Sequence, residues 1–94
     1  MNLINTEFTL LIFDDEKQNR LLLTELFGTT YKIIQAKNGV QALEKARQHR
    51  PDLILLDVLM PEMDGMCVLR ELKRDDATRV IPVIFITALS SATD

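Results

Sequence analysis

The acids of this 94-residue sequence stand where chemistry could be done. Asp14, Asp15 and Glu16 follow directly on a continuous apolar run, FTLLIF at 8–13. Asp57 closes a second run, LILLD at 53–57, and Thr87 closes a third, IPVIFIT at 81–87. If these runs are neighbouring strands, the groups at their ends converge on one edge of a sheet. Three carboxylates in a partly desolvated pocket cannot all stay ionised without a cation. An oxygen-only donor set without His or Cys selects a hard ion, Mg²⁺ or Mn²⁺. An aspartate beside such an ion can accept a phosphoryl group as an acyl phosphate. A hydroxyl such as that of Thr87 suits a hydrogen bond to an oxyanion.

The elements between these residues supply the frame. Residues 16–27 place Leu22, Leu23, Leu26 and Phe27 at helical spacing, with Lys17, Arg20 and Glu25 for a solvated side. Gly28 reads as the helix stop. Residues 31–36 form a second strand. Asn38, with Gln41 three residues on, makes a capping-box-like start. The helix that follows runs from Val40 to about His49, with Val40, Leu43 and Ala46 as a narrow apolar face and Pro51 as its end. After the strand at 53–57 comes a loop with Pro61 and with Asp64 as N-cap. A third helix spans 65–74, with Cys67, Val68 and Leu72 inward. A polar loop then leads to the fourth strand, 81–87. Alternating strands and helices predict an α/β fold with parallel strands. Continuous apolar strands suit a sheet covered on both faces. Right-handed crossovers make a doubly wound open sheet the default, with functional groups at the carboxyl ends of the strands.

Four stretches in this order, LLIFDDE, AKNGVQALE, PDLILLDVLMPEMDG and IPVIFITA, resemble the receiver domain of two-component response regulators. The resemblance covers almost the whole chain, and the LLDVLMPEMDG block is its most specific part. It implies a flavodoxin-like fold with strand order 2-1-3-4, here a single domain over 1–94 that stops before the fourth helix, fifth strand and fifth helix of the family. It implies that Asp57 accepts a phosphoryl group from a histidine kinase or phosphotransfer protein. Mg²⁺ would be held by Asp14 or Asp15, by Asp57 and by the backbone carbonyl of Leu59. The family pattern favours Asp15 as the direct ligand, with Asp14 acting mainly through water. Thr87 would bond a phosphoryl oxygen, Pro61 would shape the loop and Ala88 would leave room beside it. The family's Lys-Pro pair at the end of a fifth strand has no counterpart among Lys17, Lys32, Lys37, Lys45 and Lys73. Losing one preorganised charge donor typically costs about 2.7–4 kcal/mol of transition-state stabilisation. The expectation is therefore a switch that phosphorylates slowly, or an interaction module that keeps the metal pocket without phosphorylation.

Composition narrows the alternatives. The chain is 47% apolar, 27% charged and 5% aromatic, with a net charge of −3. That is a globular composition without the basic excess a nucleic-acid binder needs. No apolar run approaches membrane-spanning length, and the first residues do not form a secretory signal. One cysteine, Cys67, permits no internal disulfide, which fits a cytoplasmic protein. Cys67 reads as a small core residue, His49 as a surface residue near a helix C-terminus, where a cation is welcome, and Met60, Met63 and Met66 as gap-fillers. Asp14 and Asp15 also suit a helix N-terminus on dipole grounds. An aspartate-based phosphatase would carry D-x-D after the first strand, and this chain has the adjacent pair. The expected partners are thus proteins, with no nucleic acid and no membrane. An uncharged apolar strand at a sheet edge is a pairing hazard, so a homodimer or strand swap through 81–87 is expected.

Overall fold

The computed structural model describes residues 8–57 and 65–86, with the side chain of Asp57 outside that description. The elements are β1 (Thr9–Phe13), α1 (Lys17–Phe27), β2 (Lys32–Ala36), α2 (Gly39–His49), β3 (Leu53–Asp57), α3 (Gly65–Arg74) and β4 (Val83–Ile86). All strand pairs are parallel, and the sheet order is β2-β1-β3-β4. The α/β reading and the strand order expected from the resemblance both hold.

Alternating residues of the strands divide between two cores. Leu11, Phe13, Ile54 and Leu56 pack with Ala42 and Ala46 of α2 and with Val68 and Leu72 of α3. Leu10, Ile12 and Leu55 pack with Leu23 of α1. β1 is enclosed on both faces: Leu10, Leu11, Ile12 and Phe13 are each at most 2% exposed. Burying each such side chain is worth about 1.5–3 kcal/mol. The start of β1 is clipped to the entry of β3, where Thr9 N–H donates to Asp52 Oδ2 at 2.7 Å and Asp52 N–H to Thr9 O at 2.8 Å. This clip sets the register in which Phe13 faces Leu56.

Several side chains depart from the sequence reading. Leu22 and Leu26 are 46% and 61% exposed, although helical spacing marks them as inward. Among the described elements α1 is the only helix in its core, and Leu23 and Phe27 suffice to cover β1 and β2. Val40 is likewise exposed, and Ala42 takes its place on the buried face of α2. The capping box of α2 is half formed. Asn38 Oδ1 accepts from Gln41 N–H at 2.8 Å, but Gln41 Oε1 accepts from Lys37 N–H, not from that of Asn38. Arg50 ends α2 with φ 48 and ψ 64, the left-handed conformation usually left to glycine. Lys73 Nζ donates to the carbonyls of Arg79 and Ile81, tying α3 to the approach of β4. β4 lies at the sheet edge, with Ile84 and Phe85 partly exposed.

Candidate phosphoacceptor site at the carboxyl ends of the strands

The site is built by strand ends. β1 delivers Asp14 and Asp15 at the first two positions after Phe13. β3 delivers Asp57 as its last residue, the position after Leu56. Because Phe13 and Leu56 are register partners, Asp14 and Asp57 emerge side by side from adjacent parallel strands. Asp57 is in turn the register partner of Ile86, the residue before Thr87. The acids therefore share one edge, as the sequence reading expects. Thr87, Leu59, Pro61 and Ala88 lie outside the described residues, as do Asp64, Met60 and Met63.

Asp14 is 1% exposed and is held by its backbone and its side chain. Its N–H donates to Ala36 O of β2 at 3.2 Å. Its Oδ1 accepts from Glu16 N–H at 2.9 Å, a turn that starts the chain toward α1. Its carbonyl accepts from Arg20 Nη1 at 2.7 Å. Asp15, the next residue, is exposed. α1 follows with Glu16 in extended conformation as its N-cap, and no side chain caps the helix there. Arg20 was expected on the solvated side of α1 but reaches back six residues to the acidic turn. The signal for it lies in helix geometry, since a first-turn side chain tilts toward the N-terminus. Asn19, beside it, is buried at 7% exposure.

A buried carboxylate next to an exposed one, with oxygen donors only, fits a hard divalent cation and not a soft metal. Among the described residues no three His, Cys, Asp or Glu side chains gather at one point. Asp14 and Asp15 are two, and the third carboxylate of the expected set, that of Asp57, lies outside the description.

The protein-family model of the response regulator receiver domain matches residues 10–94. This chain belongs to the response regulator receiver family. It is 42% identical over 87 residues to the polar-differentiation response regulator DivK of Brucella anthropi, covering 92% of this chain and 71% of DivK. It is 48% identical over 86 residues to the response regulator PleD of Caulobacter vibrioides, covering 90% of this chain and 19% of PleD. Its structure superposes on the N-terminal domain of a response regulator receiver protein from Methanoculleus marisnigri with a TM-score of 0.81 at 38% identity. That match covers 85% of this chain and 66% of the other. The receiver domain of a signal transduction histidine kinase from Syntrophus aciditrophicus gives a TM-score of 0.76 at 41% identity, covering 89% and 64%. The chain thus spans a little under two thirds of the solved receivers it matches. As a receiver it is a component of two-component signal transduction. None of the helices among its described residues is long and apolar enough to cross a membrane.

Proposed function

We propose that this receiver accepts a phosphoryl group on Asp57 from the phosphohistidine of a histidine kinase or phosphotransfer protein in the cytoplasm. The observation that carries the reading is the register: Asp14 and Asp57 leave adjacent parallel strands side by side, with Asp15 next in the chain. In the transfer, a carboxylate oxygen of Asp57 attacks phosphorus as the phosphorus–nitrogen bond breaks, and the electron pair goes to the imidazole nitrogen. Asp57 becomes an acyl phosphate. Asp14 or Asp15, Asp57 and the Leu59 carbonyl would hold Mg²⁺, and Asp15 is the direct ligand in this reading. The bound cation would supply charge neutralisation at the phosphoryl oxygens. Burial of Asp14 keeps bulk water from that side of the pocket, and its bond to Glu16 N–H holds its carboxylate in place. Thr87 would donate its hydroxyl to a phosphoryl oxygen. The chain acts as a switch of this kind over 1–94, not as an enzyme turning over a diffusible substrate. The uncharged edge of β4, with Ile84 and Phe85 partly exposed, also supports pairing with a second copy along 81–87. Sedimentation velocity showing a concentration-independent monomer refutes that pairing.

Intact-protein mass after incubation with Mg²⁺ and acetyl phosphate tests the principal reading. The expected result is a gain of one phosphoryl group, absent in Asp57→Asn and absent without metal. Uptake that persists in Asp57→Asn overturns the assignment. No uptake by a chain that still binds Mg²⁺ leaves a metal-holding interaction module.

A further inference from the structure

The acidic turn is held by a contact that the phosphoacceptor reading does not use. Arg20 Nη1 donates to the backbone carbonyl of Asp14 at 2.7 Å, across six residues. That carbonyl belongs to the peptide plane joining Asp14 to Asp15. Fixing the plane fixes ψ of Asp14 and φ of Asp15 together, because the peptide unit is rigid. The Asp14 N–H is anchored on the other side to Ala36 O. With both ends pinned, the directions in which the two carboxylates leave the backbone are set before any ligand arrives.

The placement of this arginine is otherwise unfavourable. Arg20 lies in the first turn of α1, where the helix dipole disfavours a cation. Its backbone N–H bonds Glu16 O, so the residue is committed to the helix and its charge stays near that end. The carbonyl of Asp14 and the acids at 14–16 offset this cost. A solvated arginine would have no reason to fold back over the turn.

We propose that Arg20 is a positioning residue for the divalent cation: its guanidinium orients the Asp14–Asp15 peptide, and so the carboxylates, without touching the ion. This rests on the metal reading of the acidic turn. Two accounts of Arg20 predict opposite signs. If its charge were what mattered, removing it would lessen repulsion of a cation and tighten binding. If the tether matters, removing it lets the turn relax and weakens binding. Groups that orient metal ligands through hydrogen bonds typically change affinity by about 10–100-fold when removed.

Calorimetric titration of the metal-free chain with MgCl₂ separates these accounts, with far-UV circular dichroism and urea unfolding to verify the fold. Arg20→Ala is expected to weaken Mg²⁺ binding by about tenfold or more in a folded protein. Arg20→Gln keeps a donor without the charge, and Arg20→Lys keeps both. Each is expected to hold more of the wild-type affinity than Arg20→Ala. Should Arg20→Ala fail to fold, the Gln and Lys variants decide, since the tether predicts that they bind alike and the charge account predicts tighter binding by Gln. Unchanged or tighter binding by a folded Arg20→Ala overturns the proposal alone. Absence of Mg²⁺ binding by the wild-type chain overturns the metal reading itself, and this role of Arg20 with it.

Discussion

Thr78 is the buried polar side chain whose removal has the most defined consequence. It is 1% exposed, and its hydroxyl donates to Leu72 O at 2.6 Å. Leu72 is in the last turn of α3, where helix carbonyls lack intrahelical donors. Thr78 N–H meanwhile donates to Asp75 O at 3.0 Å, closing the turn that leads to Ile81 and β4. Thr78→Val keeps the shape and deletes the donor. A buried acceptor left without its partner costs about 1–3 kcal/mol. The added methyl returns about 0.8 kcal/mol of apolar transfer. The net loss is about 0.2–2 kcal/mol, out of a stability on the order of 5–14 kcal/mol for a chain of this length. At about 4–8 °C per kcal/mol for a domain of this size, Tm should fall by about 1–16 °C. The sequence has no tryptophan, so urea unfolding followed by far-UV circular dichroism is the assay. The midpoint should drop at unchanged slope, since the surface exposed on unfolding is the same. A Thr78→Val midpoint equal to or above wild type would refute the reasoning, because the hydroxyl would then add nothing over a methyl group.

Three further outcomes are expected. Arg50→Gly relieves the left-handed strain at φ 48 and should raise stability by about 0.5–1 kcal/mol, read as a higher urea midpoint; a lower midpoint argues against strain there. Leu26→Glu should leave the midpoint within about 0.5 kcal/mol of wild type because Leu26 is 61% exposed, whereas Leu23→Ala should cost about 2–5 kcal/mol because Leu23 is 5% exposed. Asp75 titrates below the ordinary carboxylate value, held down first by the Ala77 N–H and then by Arg47, whose Nε lies 2.6 Å from its carboxylate. A depressed folded pKa gives stability that is complete above the unfolded value and is lost as pH falls through the folded one. Asp75→Ala should therefore be less stable than wild type at neutral pH, with the gap closing on acidification; a gap that widens at low pH reverses the sign and the argument.

What the sequence made legible follows from its periodicity. The strand runs are apolar without interruption and stop abruptly at acids, so β1 and β3 and the residues at their ends could be located without coordinates. What it hid depends on which helix shares which face. Leu22 and Leu26 carry the spacing of an inward stripe, yet whether a stripe is covered is decided by neighbouring elements and not by the helix. Arg20 looked solvated because polarity alone does not reveal that a side chain folds back to a carbonyl six residues earlier. Arg50 gave no sign of its left-handed backbone, since the usual marker, glycine, is missing at that helix end. Gln41 fits a capping pattern by spacing, but its side chain serves the neighbouring Lys37 N–H.

The acids arrive at the site by different means, and this sets how each should respond to change. Asp57 is carried by register: it stands one residue beyond the last β1 pair, Phe13 with Leu56, and is itself the register partner of Ile86 in β4. Asp14 stands just past β1 and is held by bonds that include those to Ala36, Glu16 and Arg20. Asp15 has the backbone anchors of its neighbour and an exposed side chain. A sheet-wide perturbation, such as truncating Leu56, should thus act on Asp57 through global stability. A single substitution at Arg20 can shift the acidic turn while the sheet stays intact. A parallel sheet fixes where carboxylates emerge, but the turn beyond the strand must fix where they point. In this receiver that second task falls to the contacts around Asp14.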